Sequence, residues 1–182
     1  MDKFLKWIEE NKEHRALTDK SYKKTYQKNY QKELSDCEVN TELATYGDAV
    51  LKLALCEILW TEGVKNLTEV KKEYESDEVL VKHIASHYDI LKFLRFDEED
   101  ENIPKDYCYE KGENSKNIPK DYCNVDKKGK NSKNKHKYIA TAIEACLGGM
   151  YMDDTVSWDD IIEIVKGWVE IIKEKSDKKG ED

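Results

Sequence analysis

Two carboxylates stand out by where they fall. Asp48 follows Gly47 in the middle of Asn40 to Gly63, NTELATYGDAVLKLALCEILWTEG, and Glu144 comes one turn before Gly148-Gly149 in Tyr138 to Asp154, YIATAIEACLGGMYMDD. Both stretches are otherwise mostly apolar. A carboxylate where two helices come close is paired, caps something or holds a metal, because an unpaired buried charge is costly. Two such acids on two crossing helices could share a divalent cation through their oxygens. Alternatively, each lies at a solvated edge or meets a lysine. Spacing alone leaves both open.

The elements that would position these acids are legible in the apolar pattern. Leu43, Tyr46, Val50, Leu51, Ala54, Leu55, Ile58 and Leu59 recur in steps of three and four, one face of a helix of about six turns. Ile139, Ala142, Ile143, Cys146, Leu147, Met150 and Tyr151 mark a second such stripe. A glycine inside a helix costs about 1 kcal/mol against alanine. Gly47, Gly148 and Gly149 are therefore expected to thin the helices for close contact.

Together these pieces resemble a known family. TYGDAVLKL and, later, IEACLGGMYMD resemble the signature helix (close to LEFLGDAVL) and the late helix (close to FEALIGALYLD) of the ribonuclease III catalytic domain. Ala16 to Tyr22 is similar to the family's ALTHxSY, Glu75 to Leu80 to its VSNxxL, and Leu91 to Phe96 to its L-x-x-Y-L-R segment. The resemblance runs in order from about Ala16 to about Trp168.

The departures from the family pattern are specific. Most members carry four acids. Here Ala44 stands one turn before Asp48 and Thr141 one turn before Glu144, so the first and third are replaced. Asp48 and Glu144 match the two on which members depend most. This reduced pair is similar to the mini-ribonuclease III branch, as is the basic stretch Lys128 to Lys133, which resembles that branch's R-G-R-N-A-K. The N-terminal part and residues 75–96 look more like ordinary ribonuclease III.

Elsewhere the sequence predicts a first helix capped by Asp2, with Phe4, Leu5 and Ile8 inward, and a short helix over Glu13 to Lys20. Ser21 to Lys32 carries Tyr22, Tyr26 and Tyr30 on one helical face among Lys20, Lys23, Lys24, Lys28 and Lys32. This reads as a core-facing tyrosine stripe with a solvated lysine face, or as lysines meeting RNA phosphates. Leu67 to Tyr74 is a helix after a turn at Lys65-Asn66, Ser76 caps the next, and Asp89 caps a short one ending near Phe96. His83 and His87, four apart, have zinc-ligand spacing but no third ligand, which favours a surface or satisfied role. Asp97 to Glu101 is a run of like charge expected to be solvated. NIPKDYC at Asn102 to Cys108 recurs at Asn117 to Cys123, a unit too short for a solenoid array. The second copy leads into Lys127, Lys128, Lys130, Lys133, Lys135 and Lys137, which either draw in RNA phosphates or form a solubilising linker; Asn131 or Ser132 starts the late helix. Ser157 caps a last helix through Ile172.

Composition sets bounds. A chain of 182 residues with net charge -8, 38% charged and 38% hydrophobic residues is large enough for one core without staples. The net charge argues mildly against nucleic-acid binding, but the lysines are unevenly placed. Five cysteines in no CxxC spacing, with no signal-length apolar run, read as reduced thiols in a cytoplasmic protein.

The resemblance implies an all-α, ribonuclease III-like endonuclease over 1–182 as a single domain. It would have a partly repeated long loop at about 97–134 and no separate double-stranded-RNA-binding domain. It further implies a homodimer formed through the signature helix, along Leu43, Tyr46 and Val50. Asp48 and Glu144 would be catalytic ligands of Mg2+, with Mn2+ as a substitute. The expected reaction is phosphodiester hydrolysis in double-stranded or structured RNA such as a ribosomal RNA precursor. The alternative is a non-catalytic RNA-binding or scaffold dimer.

Overall fold

A computed structural model describes residues 2–97 and 137–177. The fold is all-α: among the described residues the only extended pairing is an isolated parallel bridge between Thr18 and Arg95. Helix α1 spans Lys3–Glu10, α2 Tyr22–Tyr30, α3 Thr41–Thr61 and α4 Leu67–Tyr74. Helix α5 is composite: an α turn over Asp77–Val79, a wide π turn over Leu80–Ala85 and an α turn over Ser86–Tyr88. Helix α6 spans Lys137–Tyr151 and α7 Trp158–Asp177. Short 3-10 turns lie at Arg15–Leu17, Asp36–Glu38 and Ile90–Phe93.

The predicted pair of apolar helices forms the centre, and α3 against α6 is the most extensive packing in the fold. Helix α6 is buried on almost every side, through Ile139, Ala140, Ala142, Ile143, Ala145, Cys146 and Leu147. A helix apolar all round belongs inside a shell of others. The shell is α1 (Phe4, Ile8), α5 (Leu80, Ile84) and α7 (Ile161, Val165, Trp168), whose side chains are buried in the same core. The Phe4 ring meets Tyr88 and Trp168 edge-on, each at 5.0 Å between centroids.

Local chemistry sets the helix starts. Asp2 Oδ1 accepts from the backbone N–H of Phe4 (2.9 Å) and Leu5 (3.2 Å), while Oδ2 accepts from the Tyr88 hydroxyl (2.8 Å). Ser76 Oγ accepts from Val79 N–H. Ser157 and Asp160 cap each other reciprocally at the start of α7. Lys3 ties α1 to α7 through Asp160 (2.6 Å) and Glu163.

Several expectations are corrected. Glu13 to Lys20 is not a helix beyond the Arg15–Leu17 turn. The chain is drawn out there by Arg95, whose N–H donates to Leu17 O and whose carbonyl accepts from Asp19 N–H, both at 2.8 Å. Helix α2 has no buried residue, so its tyrosines do not face the core. They stack on one another instead, Tyr22 to Tyr26 at 6.2 Å and Tyr26 to Tyr30 at 4.7 Å. Tyr46 and Tyr151 leave the inward stripes, at 55% and 47% exposed. Asp97 is buried rather than solvated, accepting from the Thr25 hydroxyl at 3.1 Å. Asp89 starts its turn by a left-handed backbone (φ 51°) and not by a side-chain cap. His83 is buried and His87 exposed. The remaining acids of the charge run, the NIPKDYC repeat, Cys108, Cys123, Asn131 and Ser132 lie outside the described residues. Among the described cysteines, Cys37, Cys56 and Cys146 are free thiols. No helix among the described residues is long and apolar enough to cross a membrane.

Candidate active site

The site begins with two glycines facing each other. A Cβ built on Gly47 would lie 1.7 Å from the carbonyl oxygen of Glu144, and one on Gly148 would lie 2.3 Å from the carbonyl oxygen of Leu43. Real Cβ atoms do not come within 3.0 Å of other atoms in this way, so α3 and α6 touch backbone to backbone. Gly149 faces elsewhere: its missing Cβ would meet the Trp7 ring at 2.8 Å and His14 at 3.1 Å. It thus admits α1 rather than α3.

This contact brings the two predicted acids together, since Asp48 follows Gly47 and Glu144 supplies the carbonyl that Gly47 abuts. Asp48 is about one-third exposed and accepts from Lys52 Nζ at 2.6 Å, one turn along α3. Glu144 is more enclosed. Burial, then the charge of Asp48, then that of Asp77 push its carboxyl up to about 7, while Lys52 and Lys137 pull the other way. Lys52 is held charged, above the ordinary lysine range, chiefly by its hydrogen bond to Asp48 and further by Glu75 and Glu144.

Burial first, and the neighbouring charges of Asp48 and Asp77 second, keep a proton on Glu144 near neutral pH; a divalent cation would relieve both, and carboxylate oxygens are the donors magnesium and manganese prefer. Asp48 and Glu144 therefore fit such an ion. Among the described residues no group of three or more His, Cys, Asp or Glu is arranged to hold a metal. At the two places where acids are replaced, Ala44 is packed into the core and Thr141 is half-buried.

Of the predicted lysines, Lys137 is described; it is exposed at the start of α6, two turns before Glu144. Lys127, Lys128, Lys130, Lys133 and Lys135 lie outside the described residues. Two participants were not singled out from sequence. Asp77 sits within the segment resembling VSNxxL, at the place where that pattern carries asparagine, and the acid there was the available signal. Lys52 was signalled by its place four residues after Asp48, the spacing of a helical ion pair.

Beside the site, Tyr46, Ala49, Val50, Leu53, Tyr151 and Trp158 line an open groove of about 440 Å³. Leu53 and Trp60 are 59% and 76% exposed. Leu43 and Val50, expected on a dimer face, are buried in the chain's own core, Val50 also bordering the groove.

Comparison with known proteins agrees with this geometry. The family model described as the ribonuclease III domain matches residues 41–155, from the first residue of α3 to just beyond α6. No curated protein matches the chain. The match covers more than half of the sequence and contains both central helices and both acids: the chain belongs to the ribonuclease III domain family, whose members are endoribonucleases acting on double-stranded RNA.

Proposed function

We propose that this protein is a metal-dependent endoribonuclease that hydrolyses phosphodiester bonds in double-stranded or structured RNA, with Asp48 and Glu144 as the carboxylates that hold Mg2+ or Mn2+. The observation that carries the reading is the contact of Gly47 with the Glu144 carbonyl, which places two acids from two helices in one electrostatic neighbourhood. A divalent ion there would activate water and stabilise the leaving 3′-oxygen. Asp48 and Glu144 would orient that ion; Lys137 and the lysine run Lys127 to Lys135 would hold the RNA phosphates. Two carboxylates are few fixed charges for a divalent cation, so cleavage should need millimolar magnesium or prefer manganese. A ribosomal RNA precursor is the substrate class this reading favours.

The protein would act as a homodimer, as a groove for duplex RNA requires two sites. Tyr46, Ala49, Leu53, Cys56 and Trp60 follow one another in steps of three and four along α3, and Tyr46, Leu53 and Trp60 are exposed. A seam with that heptad spacing suits a second helix.

Ala44 and Thr141 favour a second reading, a dimer that binds RNA without cutting it. Cleavage of a duplex RNA across magnesium and manganese titrations separates the two. Wild type should cut, and Asp48→Asn and Glu144→Gln should each lose at least about 100-fold in rate while keeping duplex binding. Wild type that binds duplex and cuts nothing would establish the second reading; activity surviving either substitution would remove the assigned acids.

A further inference from the structure

We infer that Lys52 is a working part of this site: a fixed cation, held by Asp48 at rest, that meets an RNA phosphate during cleavage and supplies positive charge in place of cations that acids at positions 44 and 141 would recruit. The inference rests on the ribonuclease reading above and adds a residue to it.

Placement comes first. Lys52 Nζ donates to Asp48 Oδ2 at 2.6 Å, and the same ammonium lies within electrostatic reach of Glu144 on the opposite helix and of Glu75 at the end of α4. Its hydrogen-bond partner is Asp48, one of the two proposed ligands, while Glu75 is held by Lys71. Supply comes second. With Ala44 and Thr141 where most members carry acids, the site has fewer anchors for divalent ions. Lys52 carries the one ammonium seen hydrogen-bonded to a proposed ligand, Asp48, among the described residues. Mobility comes third. The Lys52 side chain is 44% exposed, so its arm can turn outward without opening the core. Helix-surface ion pairs of this kind are weak. With Asp48 engaged by a cation, little would hold the ammonium back, and a compact charge with three donors suits a phosphate oxygen. Lys52 keeps its proton throughout and makes no covalent bond; it offsets the negative charge carried by the phosphoryl oxygens in the transition state.

The test compares wild type with Lys52→Met, which keeps length and removes charge, and Lys52→Arg, which keeps charge. Titration with manganese alone, followed by the electron paramagnetic resonance of free Mn2+, should show Lys52→Met binding roughly two- to fivefold tighter, because its rival for Asp48 is gone. Single-turnover cleavage of duplex RNA at saturating manganese should nonetheless fall on the order of 100-fold in Lys52→Met, with duplex affinity little changed. Lys52→Arg should stay within roughly tenfold of wild type. A Lys52→Met protein that cuts as fast as wild type, or binds manganese no differently, overturns the inference while leaving the ribonuclease reading intact. A wild type that cuts nothing defeats that reading and the inference with it.

Discussion

Replacing Gly47 with alanine probes the contact on which the site depends. In an open helix the change should stabilise, by about 1 kcal/mol of helix propensity. Here the new methyl would start 1.7 Å from the Glu144 carbonyl oxygen and 2.8 Å from Gly148 N, both backbone atoms that cannot rotate away. The helices must part by more than an ångström. Overpacking of this kind costs about 1–3 kcal/mol, and backbone obstruction belongs at the upper end. The net loss is therefore about 2 kcal/mol or more, roughly 4–8 °C in melting temperature for a domain of this size. Gly167→Ala provides the contrast: nothing lies within 4 Å of its Cβ position and its helix is regular there, so the full propensity gain should appear. Thermal melts followed by circular dichroism read both. Gly47→Ala melting at or above wild type, in parallel with Gly167→Ala, would refute the backbone contact. Separating α3 from α6 also separates Asp48 from Glu144, so Gly47→Ala should cut RNA more slowly even well below its melting temperature.

Further predictions concern charge and assembly. Glu144 holds its proton to about 7 in the fold against 4.5 as a free side chain, so its favourable contribution is complete below about pH 4.5 and lost as pH rises through 7. In chelator, wild type should lose on the order of 2 kcal/mol relative to Glu144→Gln between about pH 4.5 and pH 8, after discounting for solvent screening. Urea melts that run parallel across that range would contradict this. Leu53→Glu places a charge on the proposed seam and should give a folded monomer where wild type sediments as a dimer; a wild type of 21.3 kDa at all micromolar concentrations would remove the seam. Changing Lys128, Lys130 and Lys133 to alanine should lower the log–log salt dependence of RNA binding by roughly one for each phosphate left without its lysine. An unchanged slope returns that stretch to a solubilising role.

The parts of this fold that sequence revealed are those decided locally. Leu67–Tyr74 is the helix its apolar spacing and the preceding Asn66 turn predict. Asp2, Ser76 and Ser157 cap where their types and positions say they should. Gly47 and Gly148 were conspicuous because glycine in a helix needs a close neighbour to justify it. What sequence hid was decided at a distance. Ala16 to Asp19 is shaped by Arg95, far along the chain, which no local pattern announces. The orientation of Tyr46 and Tyr151 also escaped, since an aromatic ring suits either a core or an exposed seam. Asp77 reaches Glu144 only because α5 begins against α6.

The wide turn Leu80–Ala85 makes α5 a keyed joint. A π turn accommodates one residue more than α geometry would, and Ser86 Oγ reaching back to Val81 O spans it. The turn takes up this surplus residue and leaves the two ends of α5 nearly in phase. At one end Asp77 lies in the field of Glu144; at the other the Tyr88 hydroxyl bonds Asp2. Deleting a single residue such as Lys82 would let the turn relax to α pitch with its two ends still nearly in phase, so both partnerships should survive. A second deletion would find no surplus to absorb and would rotate the ends by about 100° against each other. The turn is therefore a reserve of length: it can give up one residue, but not two.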